Sequence, residues 1–167
     1  MLHLECYADE RLARSLGVPR RLIRHEHCTG NIISQLRRLE AGPGLLDENP
    51  QAAQPRELKH YRSVKETASL RLLQHEEVPG QRLIILCPRL EEWLYRCASA
   101  CGVDPQDYGL PEDPESLKAR PRYDRDSRFG HFLETLCREN PEVQTLANRI
   151  RHALALDRDQ PDVRPGA

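Results

Sequence analysis

The chain has 167 residues, enough for one domain with a hydrophobic core, and 31% of them are charged against 5% aromatic. The formal net charge is −1, which excludes a molecule-wide basic field for nucleic acid and leaves only a local patch for that purpose. No run approaches the roughly 18 apolar residues of a membrane span, and the opening MLHLECYADE lacks a basic-then-apolar signal pattern, so a cytoplasmic location with no membrane partner is expected.

Leu2–Tyr7 alternates apolar and polar residues and predicts a strand. Asp9–Gly17 predicts a short helix, with Asp9 as cap, Leu12 and Leu16 on one face and Gly17 as stop. Val18-Pro19 breaks it, and Arg21–His27 reads as a second strand. Thr29 caps a helix in which Ile32, Ile33, Leu36 and Leu39 keep helical spacing, and Gly42-Pro43-Gly44 ends it. Gly44–Asp47 is the third strand, and 49–54 a loop. A helix is expected from about Arg56 to Gln74, with Leu70, Leu72 and Leu73 on its later turns. After the turn Val78-Pro79-Gly80, Arg82–Cys87 is the clearest buried strand, and Pro88 opens a helix that Gly102 closes.

Strand–helix alternation four times over predicts an α/β fold, a four-stranded, mainly parallel sheet with flanking helices. Beyond Gly102, residues 104–128 read as a long polar connection with a short helix at Pro114–Ala119. Helices at Phe129–Glu139 and Pro141–Leu156 complete a C-terminal helical addition that starts near residue 103. One domain therefore spans 1–156, and 157–167 reads as a disordered polar tail. None of the six cysteines forms a CxxC pair; Cys97 and Cys101 share a helix face, but a zinc site needs further ligands, and reduced, buried thiols are the preferred reading.

Function in open α/β sheets gathers at the carboxyl ends of the strands. Glu5 follows the first strand, His25-Glu26-His27-Cys28 the second, Asp47-Glu48-Asn49 the third, and Arg89 with Glu91-Glu92 the fourth. Acids after three of four strands suit a hard cation such as Mg²⁺, which takes oxygen ligands and often only one or two protein carboxylates. Asp47 and Asn49, two apart on an extended segment, are expected to point the same way. By the same alternation His25 and His27 share a face, though no further ligand is evident and polar strand-end residues are preferred.

A Glu ending the first strand, a Gly at the start of the second helix and an Asp-x-Asp-like triplet after the third strand resemble the TOPRIM domain of topoisomerases, bacterial primases, recombination proteins and OLD-type nucleases. The matching positions are Glu5, Gly30, and Asp47 with Asn49, and CPRLEEWL resembles a helix start of small stand-alone prokaryotic TOPRIM-like proteins, several of them near mobile-element and phage-defence genes. The resemblance covers about Leu2 to Gly102 in element order. It implies Mg²⁺ or Mn²⁺ held by Asp47, Asn49, Glu5 and Glu91. Glu5 and Asp47 would be catalytic, Glu5 as general base, acid or second ligand. Phosphate would be met by Gly30, Arg89 and Lys118. No tyrosine is placed as a strand-passage nucleophile, so nucleic-acid hydrolysis is the expected activity.

Asn49 stands where the family has a second Asp, and an amide brings no charge; Glu91 compensates only if its helix start faces the same crevice. Asn49 reads equally as an Asx turn, and Gly30 as a plain tight turn. Glu91 and Glu92 also suit the first turn of a helix. Arg20, Arg21, Arg24, Arg37 and Arg38 read either as a phosphate-binding patch or as a solvated face. The alternative to an enzyme is a catalytically weak or inactive subunit that binds a partner protein, in a multi-subunit system, or nucleic acid. A small-nucleotide binder lacks its glycine-rich fingerprint.

Overall fold

The computed structural model describes residues 1–158; the tail expected at 157–167 falls, from residue 159 on, outside the described residues. One six-stranded mixed sheet runs in the order β2-β1-β3-β6-β5-β4. Its strands are β1 (Leu2–Leu4), β2 (Ile23–His25), β3 (Gly42–Asp47), β4 (Tyr61–Glu66), β5 (Leu70–His75) and β6 (Gln81–Leu86). β2, β1, β3 and β6 are parallel, and β5 and β4 add to them antiparallel, so the α/β class holds but the sheet is larger and mixed, not the four-stranded, mainly parallel sheet expected. The helices are α1 (Tyr7–Ser15), α2 (Thr29–Leu39), α3 (Leu90–Ala100), α4 (Pro114–Ala119), α5 (Ser127–Glu139) and α6 (Pro141–Arg158).

The helix expected over 56–74 is instead a 3-10 turn at Arg56–His60 followed by the β4–β5 hairpin. Leu70 and Leu72 join one core and Leu73 the other, a period of two that strand geometry imposes. The hairpin covers the edge of β6, with Leu70 opposite Leu86 and Leu73 opposite Leu83, so β6 is left without a bare edge.

Alternation along the central strands separates two apolar layers. Leu45, Ile84 and Leu86 join Leu12 of α1, Trp93 of α3, Phe129 and Phe132 of α5, and Leu146 and Ile150 of α6. Leu46, Leu83 and Ile85 meet Ile32, Ile33 and Leu36 of α2 on the other side. Leu39, expected on the same stripe, is exposed at the helix end. α2 lies close because β3 presents Gly44: a Cβ there would stand 2.7 Å from Ile32 Cγ2 and 3.0 Å from Leu83 Cδ2. Between α5 and α6, buried Asn140 accepts the N–H groups of Glu142 and Val143 and donates to the Cys97 carbonyl, tying the C-terminal helices to α3.

From β1 the chain goes to β2 on one side and returns through α2 to β3 on the other. The strand order therefore reverses between β1 and β3, and the crevice outside their carboxyl ends is the topological switch point. Glu5 and Asp47 flank it.

Candidate functional site

A cleft of about 660 Å³ opens at that switch point. Glu5 lines it after β1, Thr29 and Gly30 from the first turn of α2, and Asp47 and Asn49 from the end of β3. Four positions named from the sequence, Glu5, Gly30, Asp47 and Asn49, thus share one cavity. Thr29 Oγ1 donates to Glu5 Oε1, which fixes the carboxylate across the cleft mouth. Gly30 lies in the open first turn of α2, with nothing within 4 Å of where a Cβ would stand. Unpaired N–H groups of such a turn suit an anion.

Asp47 is the centre of the electrostatics. Burial first, then the charges of Asp9, Glu5 and Glu91, push its carboxyl from 3.8 up to about 8; the N–H of Leu90, at the start of α3, offsets this in part. Its Oδ1 is buried without a hydrogen-bond partner among the described residues. Asp9, on α1, is raised to about 7, by burial and then by Glu5 and Glu91, against hydrogen bonds from Cys6 that lower it. Four carboxylates from β1, α1, β3 and α3 therefore crowd one end of the sheet. Glu91 is buried and accepts the Tyr123 hydroxyl at 2.6 Å, and its helix start faces the same acids.

Asp9 and Tyr123 were not singled out for this site. Asp9 reads from sequence as a helix cap, but the cap is Cys6; Asp9 sits at the third helical position and accepts the Cys6 N–H at 3.0 Å. Its carboxylate is thereby turned inward, 5% exposed, toward Asp47. Tyr123 lies in a 3-10 turn at Tyr123–Arg125 within the polar connection, where no periodicity marks it.

Strand alternation stops at two strand ends. β3 stops at Asp47, and Asn49 has φ +42°, a left-handed turn whose N–H donates to the Pro88 carbonyl and whose own carbonyl accepts from Ala52. Extended geometry does not align Asn49 with Asp47. β2 likewise stops at His25, and His27 has φ +68°. His25 pairs with Glu10 at 2.5 Å and His3 with Glu26 at 2.8 Å. Glu48 turns away to Arg71 at 2.9 Å. Arg89 does not line the cleft: it is held by Glu115 and Glu92 and reaches Gln51 in the loop after β3. Lys118 is exposed on α4, and no contact joins it to the cleft. Cys97 is buried, and Cys101 donates back to the Cys97 carbonyl, an ordinary helical thiol contact. Among the described residues no three His, Cys, Asp or Glu side chains converge closely enough to hold a metal ion by themselves.

The donor set suits a hard cation none the less. It is all carboxylate oxygen, and it carries one buried oxygen without a partner. With no three ligands converged, the fit is to an ion that keeps several waters and takes one or two carboxylates directly. Comparisons of the chain with protein-family models, curated proteins and solved structures find no match. Among the described residues no helix is long and apolar enough to cross a membrane.

Proposed function

We propose that the chain is a TOPRIM-like, Mg²⁺- or Mn²⁺-dependent hydrolase of nucleic-acid phosphodiester bonds. The observation that carries this reading is Asp47: a buried, unpartnered carboxylate oxygen ringed by Glu5, Asp9 and Glu91 at the switch point of a parallel sheet. Asp47 and Glu5 would hold the ion, with Asp9 and Glu91 adding charge behind them and standing in for the acid that Asn49 lacks. The ion would supply charge neutralisation of the phosphate and an activated water.

The chain's own groups divide the remaining work. Thr29 holds Glu5 in the orientation from which it would ligate the ion. The first turn of α2 at Gly30 offers N–H groups to phosphate oxygens. Arg89, beside the loop that follows β3, would meet a flanking phosphate.

The test incubates the purified chain with plasmid and single-stranded substrates in Mg²⁺ and in Mn²⁺, beside Glu5→Gln and Asp47→Asn. Cleavage that disappears in both variants supports the enzyme. Absence of cleavage by a folded wild-type chain, with nucleic acid or a partner protein still bound, would instead establish the non-catalytic subunit.

A further inference from the structure

A second pocket, of about 510 Å³, lies on the other side of α1. It is lined by Tyr7, Glu10, Arg11, Arg14, Arg20, Asp124 and Arg125. Four guanidinium groups face two carboxylates, and one of those, Glu10, is already taken by Arg20 at 2.6 Å and His25 at 2.5 Å. Among the described residues Arg11, Arg14 and Arg125 form no ion pair. On a chain of net charge −1 this is a local excess of positive charge.

Two features make the pocket more than a solvated face. Arg11 is set into the fold: its Nε is buried without a partner, and its guanidinium lies against Gly130 of α5, where a Cβ would stand 2.1 Å from Nη2. Tyr7 is 58% exposed, an unusual position for an aromatic ring, and its ring centroid is 4.4 Å from that of His25. An exposed aromatic beside clustered cations is the combination that binds an unpaired base and its backbone; a duplex keeps its bases stacked inside.

The pocket and the acidic cluster share their supporting elements. Tyr7 is two residues from Glu5, α1 carries both Arg11 and Asp9, and the turn that supplies Arg125 supplies Tyr123 to Glu91.

We propose that this pocket is a track for single-stranded nucleic acid, with Arg11, Arg14 and Arg125 on successive phosphates and Tyr7 as a stacking platform for a base. The track delivers a strand to the acidic cluster and in that respect rests on the hydrolase reading, but its binding is measurable without metal.

The test is fluorescence anisotropy of a fluorescein-labelled oligothymidylate of about 20 nucleotides with the full chain in EDTA. The wild type binds, and log Kd depends on log salt with about 0.7 counterions released per phosphate met. Arg14→Ala/Arg125→Ala binds roughly tenfold more weakly, and its salt slope is shallower by about 1.4. Tyr7→Ala loses roughly fivefold or more on the oligothymidylate and little on a blunt duplex, while Tyr7→Phe keeps the wild-type value. Arg62→Ala, exposed on β4 and outside the pocket, is the control and leaves binding unchanged.

No binding by a wild-type chain that circular dichroism shows folded overturns the track. So does a double arginine variant that binds like wild type, or a Tyr7→Ala variant with the same preference for single strands. Intact binding without cleavage in Mg²⁺ or Mn²⁺ overturns the hydrolase reading and leaves the track standing. Metal uptake at Asp47 without oligonucleotide binding overturns the track alone.

Discussion

Asp47→Asn is the most informative single substitution. An unfolded aspartate loses its proton near 3.8, whereas folded Asp47 keeps it to about 8. Between those values the native state binds more protons than the unfolded one, so this group makes the chain less stable as pH rises. The penalty is absent below about pH 4 and complete above about pH 8. At about 1.4 kcal/mol for each pH unit of displacement, it has a ceiling on the order of 6 kcal/mol. Asp9, Glu5 and Glu91 share the same repulsion, and the cleft admits water, so about a third of that, roughly 2 kcal/mol, is the expected effect. Asn keeps the shape and an acceptor for the Leu90 N–H while removing the charge.

In chemical denaturation without divalent ions, Asp47→Asn is therefore near-neutral at about pH 5 and about 2 kcal/mol more stable than wild type at about pH 8.5. In thermal melts the gain at the higher pH is about 4–8 °C. A difference that does not vary with pH, or a wild type that is the more stable at high pH without metal, would refute the assignment of a buried, repelled carboxylate at this position.

Other outcomes follow from the same contacts. Tyr123→Phe removes the hydroxyl that buried Glu91 accepts, and should cost about 1–3 kcal/mol in urea unfolding. Gly44→Ala drives a methyl into Ile32 and Leu83 and should cost about 1–3 kcal/mol by the same measurement, because β3 and α2 must move apart. Thr29→Val, which releases Glu5, should lower hydrolysis by roughly tenfold with unchanged melting temperature, measured as initial cleavage rate in Mn²⁺.

The parallel core was legible because its signals are local. Leu83 to Leu86 is a buried run, the α2 apolar stripe has helical period, and α4 falls at the expected Pro114–Ala119. That Glu5, Gly30 and Asp47 meet at one cleft was legible too, since strand ends of a parallel sheet collect on one edge. The β4–β5 hairpin was not. Its strands are charged outward, and Leu70, Leu72 and Leu73 fit a helical face as well as an alternating one; only the free edge of β6 decides between them.

Side-chain direction past a strand end was equally hidden. The left-handed turns at His27 and Asn49 break the two-residue period one or two residues after β2 and β3 stop, and only the backbone shows it. Asp9 was misjudged because capping and third-position acids look alike in sequence, whereas the Cys6 N–H turns this one into the cluster. The arginine-rich first forty residues divide in space: Arg20 enters the α1 pocket, while Arg37 lies beside Glu40, Glu57 and Glu77 on the far side of the sheet.

Divalent-ion binding by titration calorimetry in two buffers of different ionisation enthalpy tests the central claim most directly. A cation that takes Asp47 must displace its proton below about pH 8. The account predicts Mn²⁺ binding that releases protons at neutral pH, tightens toward pH 8 and disappears in Asp47→Asn. No binding by the folded wild type, or binding that Asp47→Asn leaves unchanged, would contradict it.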